Sequence, residues 1–314
     1  MSAEPLEQQQ AARDESFGSV MVALAANTGI AAAKGIAAAL TGSPALLAET
    51  LHTVADAGNE VFLYIAIRRG RRPPDASHPF GYGPERYYWA LLAALGMFVV
   101  GGVVSVLDGI HALLHPPELD AFWIGVVVLV IAVTLDGISR TVAIRQLRVQ
   151  AARREVSIRE LLRESPDPTL VTVYFEDTID VLGALLALVA LILHRVTGSG
   201  VPDALASIVI GGLLCYLASR LTRRNRDLLT NQSVPERYIQ RLRARIEREP
   251  AVDAVGRMEA IYLGPASVLV VADVQIADGL AGADVTAALA RMRAEIAREV
   301  PAITRLYLTP VAGS

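Results

Sequence analysis

Long apolar runs recur along the first two thirds of the chain and predict its architecture. Each run has about 20 residues or more, which is the length of α-helix that crosses about 30 Å of hydrocarbon. The pattern predicts six membrane helices. They run approximately over Ser19–Leu40, Pro44–Ile67, Glu85–Leu114, Asp120–Gln146, Leu170–Leu193 and Pro202–Leu221.

The pattern of apolar and polar positions changes after Asn231. Amphipathic and Val-rich segments replace the long apolar runs, and a Gly264-Pro265 turn predicts a hairpin between two strands. The predicted elements are a helix over Pro235–Glu249, strands over Val255–Leu263 and Ser267–Ile276, a helix over Ala281–Val300 and a strand over Ile303–Leu308. Elements of this kind and order predict a small α+β domain.

Composition agrees with a membrane protein. The chain is 53% hydrophobic and its mean hydropathy is +0.42, which is more apolar than a typical soluble domain. Its one cysteine, Cys215, lies inside an apolar run, so a disulfide framework within the chain is excluded. The polar, acidic first sixteen residues do not resemble a cleaved signal peptide, and we expect none.

Basic residues in the loops predict the orientation, because cytoplasmic loops carry an excess of Lys and Arg. Arginines cluster after the second, fourth and sixth predicted helices, whereas the loops around 41–43, 115–119 and 197–201 have no Lys or Arg. We therefore expect both termini in the cytoplasm. The predicted organisation is a cytoplasmic tail over 1–17, a six-helix transmembrane domain over 18–229 and a cytoplasmic domain over 230–314.

Two predicted membrane helices carry paired ionisable residues with the same spacing. His52 and Asp56 lie four residues apart on the second helix, and Glu176 and Asp180 lie four apart on the fifth. This spacing places each pair on one helical face, although each charged residue costs about 2.5–3.5 kcal/mol in a bilayer. Two facing pairs supply the four ligands of a tetrahedral divalent metal site. The alternative, a buried hydrogen-bond network between helices, would need fewer carboxylates.

Four segments together resemble the cation diffusion facilitator family over about residues 18–310. They are the helix-two segment Leu46–Asp56, the loop segment His78–Gly83 with Glu85, the segment Asp180–Gly183 and the segment Pro202–Ser207. The resemblance implies proton-coupled metal exporters with six membrane helices, a ferredoxin-like cytoplasmic domain and a homodimeric assembly. The Glu176-Asp177-Thr178 run is similar to the subgroup that includes the mitochondrial zinc transporter.

Carried over from the resemblance, the transport site comprises His52, Asp56, Glu176 and Asp180. The family usually has His or Asp where Glu176 stands. Two histidines and two carboxylates around a divalent ion are neutral, whereas one histidine and three carboxylates leave about one excess negative charge. Such a site favours an extra proton or a harder metal such as Mn²⁺ or Fe²⁺, although Zn²⁺ is our first choice.

Weaker candidate ligands lie elsewhere. Asp75 and His78 match a second metal site of some bacterial members, but Tyr82 stands where a third histidine would be. We therefore expect weak binding there, or a loop that His78 only orders. Asp177 is a further weak candidate. The C-terminal domain has no His or Cys, so we predict no zinc cluster in it, and its expected role is dimerisation.

Several further polar residues lie in the apolar runs, outside the candidate metal site. Asn27 and Lys34 share one face of the first helix, and we expect Lys34 to pair with Glu49 or Asp108. Asn59 is a candidate to orient Asp56 from one turn away. We expect Asp136 to lie on a water-filled path. His111 and His115 are expected to have a role at the end of their helix.

These features predict proton-coupled efflux of a divalent metal, with Zn²⁺ as the preferred candidate. The protein is expected to be a multi-pass homodimer in the bacterial inner membrane. The alternatives are an exporter of Mn²⁺, Fe²⁺ or Co²⁺ with the same fold, or a metal-sensing membrane protein that transports nothing. No GxxxxGK[ST] motif for ATP is present. We expect no enzymatic activity, organic cofactor or nucleic-acid partner.

Overall fold

The computed structural model describes residues 24–25, 27–153, 156–164, 168–265, 267–277 and 279–311. The predicted tail over 1–17 and the predicted helix start at Ser19 lie outside these residues. The chain forms two compact units. The first contains the helices up to Arg224, and the second contains the connection Arg69–Tyr88 together with the residues from Asn225 onwards.

Helices account for nearly all of the first unit. They are α1 (27–41), α2 (Pro44–Gly70), α3 (Glu85–Leu114), α4 (Phe122–Arg153), α5 (Ile158–Glu164), α6 (Pro168–Thr197) and α7 (Val201–Leu229). Gly42 ends α1 with a φ of +68°, a conformation that glycine adopts without a steric penalty. Among the described residues, a helix lies over each of the six predicted apolar runs, but α4 and α7 extend past Gln146 and Leu221. Their ends are rich in Arg, Leu and Gln, which favour helix even where the apolar run has stopped.

Four of the described helices are long and apolar enough to cross a membrane. They are Glu85–Leu114, Phe122–Ala152, Tyr174–Thr197 and Val201–Leu229. On α4, Trp123, Val127 and Ile131 expose apolar side chains, as expected of a surface that faces lipid. The helix α2 is long enough to span a bilayer, but its His, Asp, Asn and Glu side chains make it more polar than these four.

Glycines allow α3 to approach α2 and α7 closely. A Cβ on Gly211 would lie 2.7 Å from the carbonyl oxygen of Gly102, and a Cβ on Gly101 would lie 3.9 Å from the Cα of His52. Small residues of this kind let membrane helices pack backbone to backbone. The centre of α3, Met97–Val103, is a π-helical turn, so the helix changes its winding beside the part of α2 that carries His52.

The second unit contains a three-stranded sheet and two helices. They are α8 (Glu236–Ile246), β1 (Val252–Gly264), β2 (Ser267–Ile276), α9 (Gly282–Glu299) and β3 (Ile303–Val311). The sheet order is β1-β2-β3, with β1 antiparallel and β3 parallel to β2. This confirms the predicted element order and the hairpin.

A continuous apolar core joins the helices of this unit to the sheet. Ile246 from α8, Val270 from β2 and Met292 from α9 are almost completely buried in it. Arg245 of α8 also lies 2.7 Å from Glu295 and 3.1 Å from Glu299 on α9. The parallel β2–β3 connection runs through α9, which is the connection that parallel strands require.

Candidate metal centre

The helix α2 places His52 and Asp56 on one buried face. His52 is fully buried and Asp56 is 9% exposed. The Nε2 atom of His52 lies 3.5 Å from Oδ2 of Asp56, one helical turn away. The spacing of four residues read from the sequence therefore brings an imidazole and a carboxylate to one point.

The facing helix α6 contributes Asp180, whose Oδ1 atom contacts Nε2 of His52. One ligand atom from each of His52, Asp56 and Asp180 lies within 4.8 Å of the other two. Tetrahedral ligand atoms about 2.0–2.2 Å from a common Zn²⁺ lie about 3.3–3.6 Å apart, which small side-chain movements within this group can reach. These three side chains thus have the geometry to bind one divalent cation.

Glu176, the fourth predicted ligand, is buried beside this group but does not belong to it in this structure. Its Oε1 atom accepts a hydrogen bond of 2.7 Å from Nδ2 of Asn59. We expected Asn59 to orient Asp56, and the partner is instead Glu176. The reason is that Asn59 and Glu176 lie on facing helices, so the amide reaches across to α6 rather than along its own helix.

Three buried polar atoms of the group make no hydrogen bond among the residues that the structure describes. They are Nδ1 and Nε2 of His52 and Oδ1 of Asp56. A buried polar atom without a partner costs about 1–3 kcal/mol, and more when it is charged. Because a bound cation or proton would satisfy such lone pairs, the donor set fits a divalent metal cation.

A buried ion pair lies one turn before His52. Nζ of Lys34 on α1 is 3.0 Å from Oε2 of Glu49 and 3.0 Å from Oγ1 of Thr53. Both charged side chains are at most 2% exposed. This confirms the predicted pairing of Lys34 with Glu49, and it ties α1 to α2 about one turn before the group of His52, Asp56 and Asp180.

Gly183 on α6 gives the Glu49 carboxylate the space it occupies. A Cβ at position 183 would lie 2.1 Å from Oε1 of Glu49, a distance that no real contact tolerates. We expect Gly183→Ala to push Glu49 away from Lys34 and lower the melting temperature in detergent by several degrees. The control is Gly212→Ala on α7, where a Cβ would meet nothing within 4 Å. Equal melting temperatures for the two variants would contradict this.

Asp177 and Asp136 lie beside the group without joining it. Asp177 Oδ1 accepts a hydrogen bond of 3.4 Å from Ser139 on α4, so this carboxylate is directed at a neighbouring helix. Oδ2 of Asp136 is buried without a hydrogen-bond partner in the described part of the chain. Roles for Asp177 as a ligand and Asp136 in a water-filled path stay predictions.

The loop before α3 is organised around Asp75. Its Oδ1 atom accepts hydrogen bonds from the Ser77 hydroxyl at 2.6 Å and from the backbone amide of His78 at 2.8 Å, and Oδ2 accepts one from Tyr82 at 2.7 Å. The hydrogen bonds from Ser77 and Tyr82 hold the pKa of Asp75 well below its usual range. The His78 ring stacks on Tyr82 at 4.1 Å between centroids. The residues that would bind a metal here already order the loop, and weak binding stays a prediction.

A buried polar cluster at the opposite end of the helices was not predicted from the sequence. Ser43, at the start of α2, donates a hydrogen bond of 2.8 Å to Asp203 in the first turn of α7. Nδ1 of His194 lies 3.6 Å from the other oxygen of Asp203. The only sequence signal was a Ser before the helix-starting Pro44, a typical N-cap.

With this geometry established, comparison with known proteins supplies the family. Residues 20–230 match the family model described as the cation efflux transmembrane domain. The chain belongs to the cation efflux family. The match covers all the residues of the candidate centre. With its four bilayer-length apolar helices, this makes the chain an integral membrane protein.

Curated relatives carry names from the same family. Metal tolerance protein C4 of Arabidopsis thaliana is 32% identical over 228 residues, which are 72% of this chain and 49% of the plant protein. The mitochondrial proton-coupled zinc antiporter of Homo sapiens is 31% identical over 245 residues, which are 78% of this chain and 43% of that protein. The cation-efflux pump FieF of Pectobacterium carotovorum is 26% identical over 202 residues, which are 62% and 60% of the two chains. This chain thus spans about half the length of the first two.

Proposed function

We propose that this member of the cation efflux family exports a divalent transition-metal cation from the cytoplasm in exchange for protons. Zn²⁺ is the preferred candidate for the transported cation. The observation that carries the proposal is the buried group of His52, Asp56 and Asp180 on two facing helices. The name of the human relative, a proton-coupled zinc antiporter, supports both the cargo and the coupling.

Exchange follows from competition for the same lone pairs. An imidazole and carboxylates must lose their protons to bind a metal, so metal binding releases protons and protonation releases metal. Facing the cytoplasm, the group binds the ion. After the helices rock to open the other side, protons displace it. Access then alternates around one fixed group on α2 and α6.

The net charge of the complex between this group and the ion influences which metal is transported. His52 with Asp56 and Asp180 forms a neutral complex with a divalent ion, and one nitrogen with two carboxylates suits Zn²⁺. If Glu176 leaves Asn59 and joins the ion, the complex gains a negative charge and favours harder ions such as Mn²⁺ or Fe²⁺. The hydrogen bond between Asn59 and Glu176 therefore supports Zn²⁺ as the main cargo.

This role for Asn59 predicts the behaviour of an Asn59→Ala variant. Loss of the amide frees the Glu176 carboxylate to join the ion as a third carboxylate, so we expect the affinity for Mn²⁺ to rise about tenfold or more relative to that for Zn²⁺. The measurement is a competitive titration of both metals against a chelating dye. Asn27→Ala is the matched control, since its amide donates a 2.8 Å hydrogen bond to Glu60 on α2 outside the group. A similar change of preference in both variants, or no change in Asn59→Ala, would contradict this role for Asn59.

The proposed architecture completes the family pattern. We propose that α1 and α2 also cross the bilayer, giving six crossings with both termini in the cytoplasm. Residues 230–314 would form a ferredoxin-like domain that dimerises the chain in a bacterial inner membrane. The arginine-rich loops support this orientation.

Metal flux in proteoliposomes tests the proposed function. Uptake of Zn²⁺, Mn²⁺, Fe²⁺, Co²⁺ and Cd²⁺ would be measured with and without an imposed pH gradient. We expect zinc uptake that is faster when the lumen is acidic and that alkalises the lumen, because protons leave as zinc enters. Metal binding without flux would indicate the sensing alternative, and flux insensitive to the gradient would indicate a channel.

A further inference from the structure

Three ligand-type side chains share one face at the end of α3 that lies opposite the arginine-rich loops. Asp108, His111 and His115 are spaced by three and four residues, so each lies about one turn from the next. The rings of His111 and His115 are parallel to within 25°, with centroids 4.9 Å apart. This face of α3 plays no part in the transport site described above.

A cavity of about 300 Å³ lies against these three side chains. Its other walls come from α1 and the start of α2, including Gly35, Ala38 and Pro44. The small residues on α1 leave room between the helices for a hydrated ion. His111 and His115 are exposed, whereas Asp108 is half-buried one turn deeper.

The deeper carboxylate has an unsatisfied atom. Oδ2 of Asp108 is buried and makes no hydrogen bond within the described residues. A buried carboxylate oxygen of this kind favours a proton or a cation as its partner. The cavity therefore has a negative group at its inner end and two imidazoles at its mouth.

We propose that His111 and His115 form a second divalent metal site, with Asp108 as the carboxylate next to it. His111 lies in the last turn of α3 and His115 is its C-cap residue, and their ring centroids, 4.9 Å apart, place the two imidazoles close enough to share one ion. Imidazole nitrogens prefer Zn²⁺, Co²⁺, Ni²⁺ and Cu²⁺. The site takes such an ion with water molecules as its remaining ligands.

This site should bind more weakly than the transport site. Among the described residues, only His52, Asp56 and Asp180 bring three ligand atoms within 4.8 Å of one another, so Asp108 does not reach the same ion as both histidines here. Two neutral, solvent-exposed imidazoles suit a site at which the transported metal is released. The role as a release site rests on the proposed function, whereas the binding itself does not.

The test measures Co²⁺ binding in the whole chain after the transport site and the Asp75 loop have been disabled. The background carries Asp56→Ala, Asp180→Ala and His78→Asn, which removes the transport site and the loop histidine. Equilibrium dialysis and the visible absorption of Co²⁺ report stoichiometry and ligand type. We expect about one weak site per chain, lost in His111→Asn/His115→Asn and weakened about tenfold or more in each single variant.

The matched control is Asp120→Asn, an exposed carboxylate on the same connection, which should leave Co²⁺ binding unchanged. Thermal melting checks that every variant is folded. Absence of a site in the background protein, or a site that survives loss of both histidines, overturns the proposal. Failure of the proposed function is seen separately, because it appears in flux measurements on the protein with His111 and His115 intact.

Discussion

Asp180→Asn is expected to reduce zinc transport by more than about 100-fold while the protein stays folded. Asp180 is the one contribution of α6 to the group, and its carboxylate contacts Nε2 of His52. Partners of ligands alone contribute about 10- to 100-fold to metal affinity, so loss of a ligand should cost more. The amide keeps the size of the side chain but removes its charge. The measurement is the initial rate of zinc uptake into proteoliposomes.

Asp120→Asn is the control for this variant, because it makes the same chemical change at an exposed position before α4. Size-exclusion chromatography and helical circular dichroism should be alike for both proteins. The Asp56→Ala/Asp180→Ala double variant should be inactive as well. Zinc uptake by that double variant would show that the site is assigned to the wrong residues.

Glu49→Gln is expected to destabilise the protein by about 3–5 kcal/mol. The change leaves the Lys34 ammonium buried with no countercharge at 3.0 Å, and removing one partner of a buried ion pair has this effect. Lys34→Met should be comparably destabilising, since it strands the Glu49 carboxylate. The measurement is the free energy of unfolding of each variant in detergent, obtained by chemical denaturation.

The double variant Lys34→Met/Glu49→Gln separates this account from a simple loss of packing. Because it strands no charge, it should be more stable than either single variant. If the two single effects simply add in the double variant, the ion pair is not the cause of the loss.

The elements of the fold were predictable because they depend on local pattern. The strand Ser267–Ile276 lies where its richness in Val placed it, and α3 begins and ends as its apolar run and Pro116 predict. The ends of α4 and α7 were placed too early, because hydropathy marks where lipid contact stops and not where the helix stops.

Parts of the candidate centre were predictable for the same reason. A spacing of four residues fixes which side chains share a helix face, and this correctly placed His52 beside Asp56. The partner of each side chain on another helix is a different matter. Asn59 reaches Glu176 across 117 residues of sequence, and Ser43 reaches Asp203 across 160. Such contacts depend on the rotation of packed helices, about which the periodicity of a single helix says nothing.

The position of zinc in crystals of the zinc-loaded protein tests the central claim most directly. Anomalous diffraction at the zinc edge should show its strongest peak between Nε2 of His52 and the carboxylates of Asp56 and Asp180, at about 2.0–2.2 Å from each ligand atom. The peak should vanish in Asp180→Asn. Zinc bound only at the Asp75 loop, with no peak beside His52, would contradict the account.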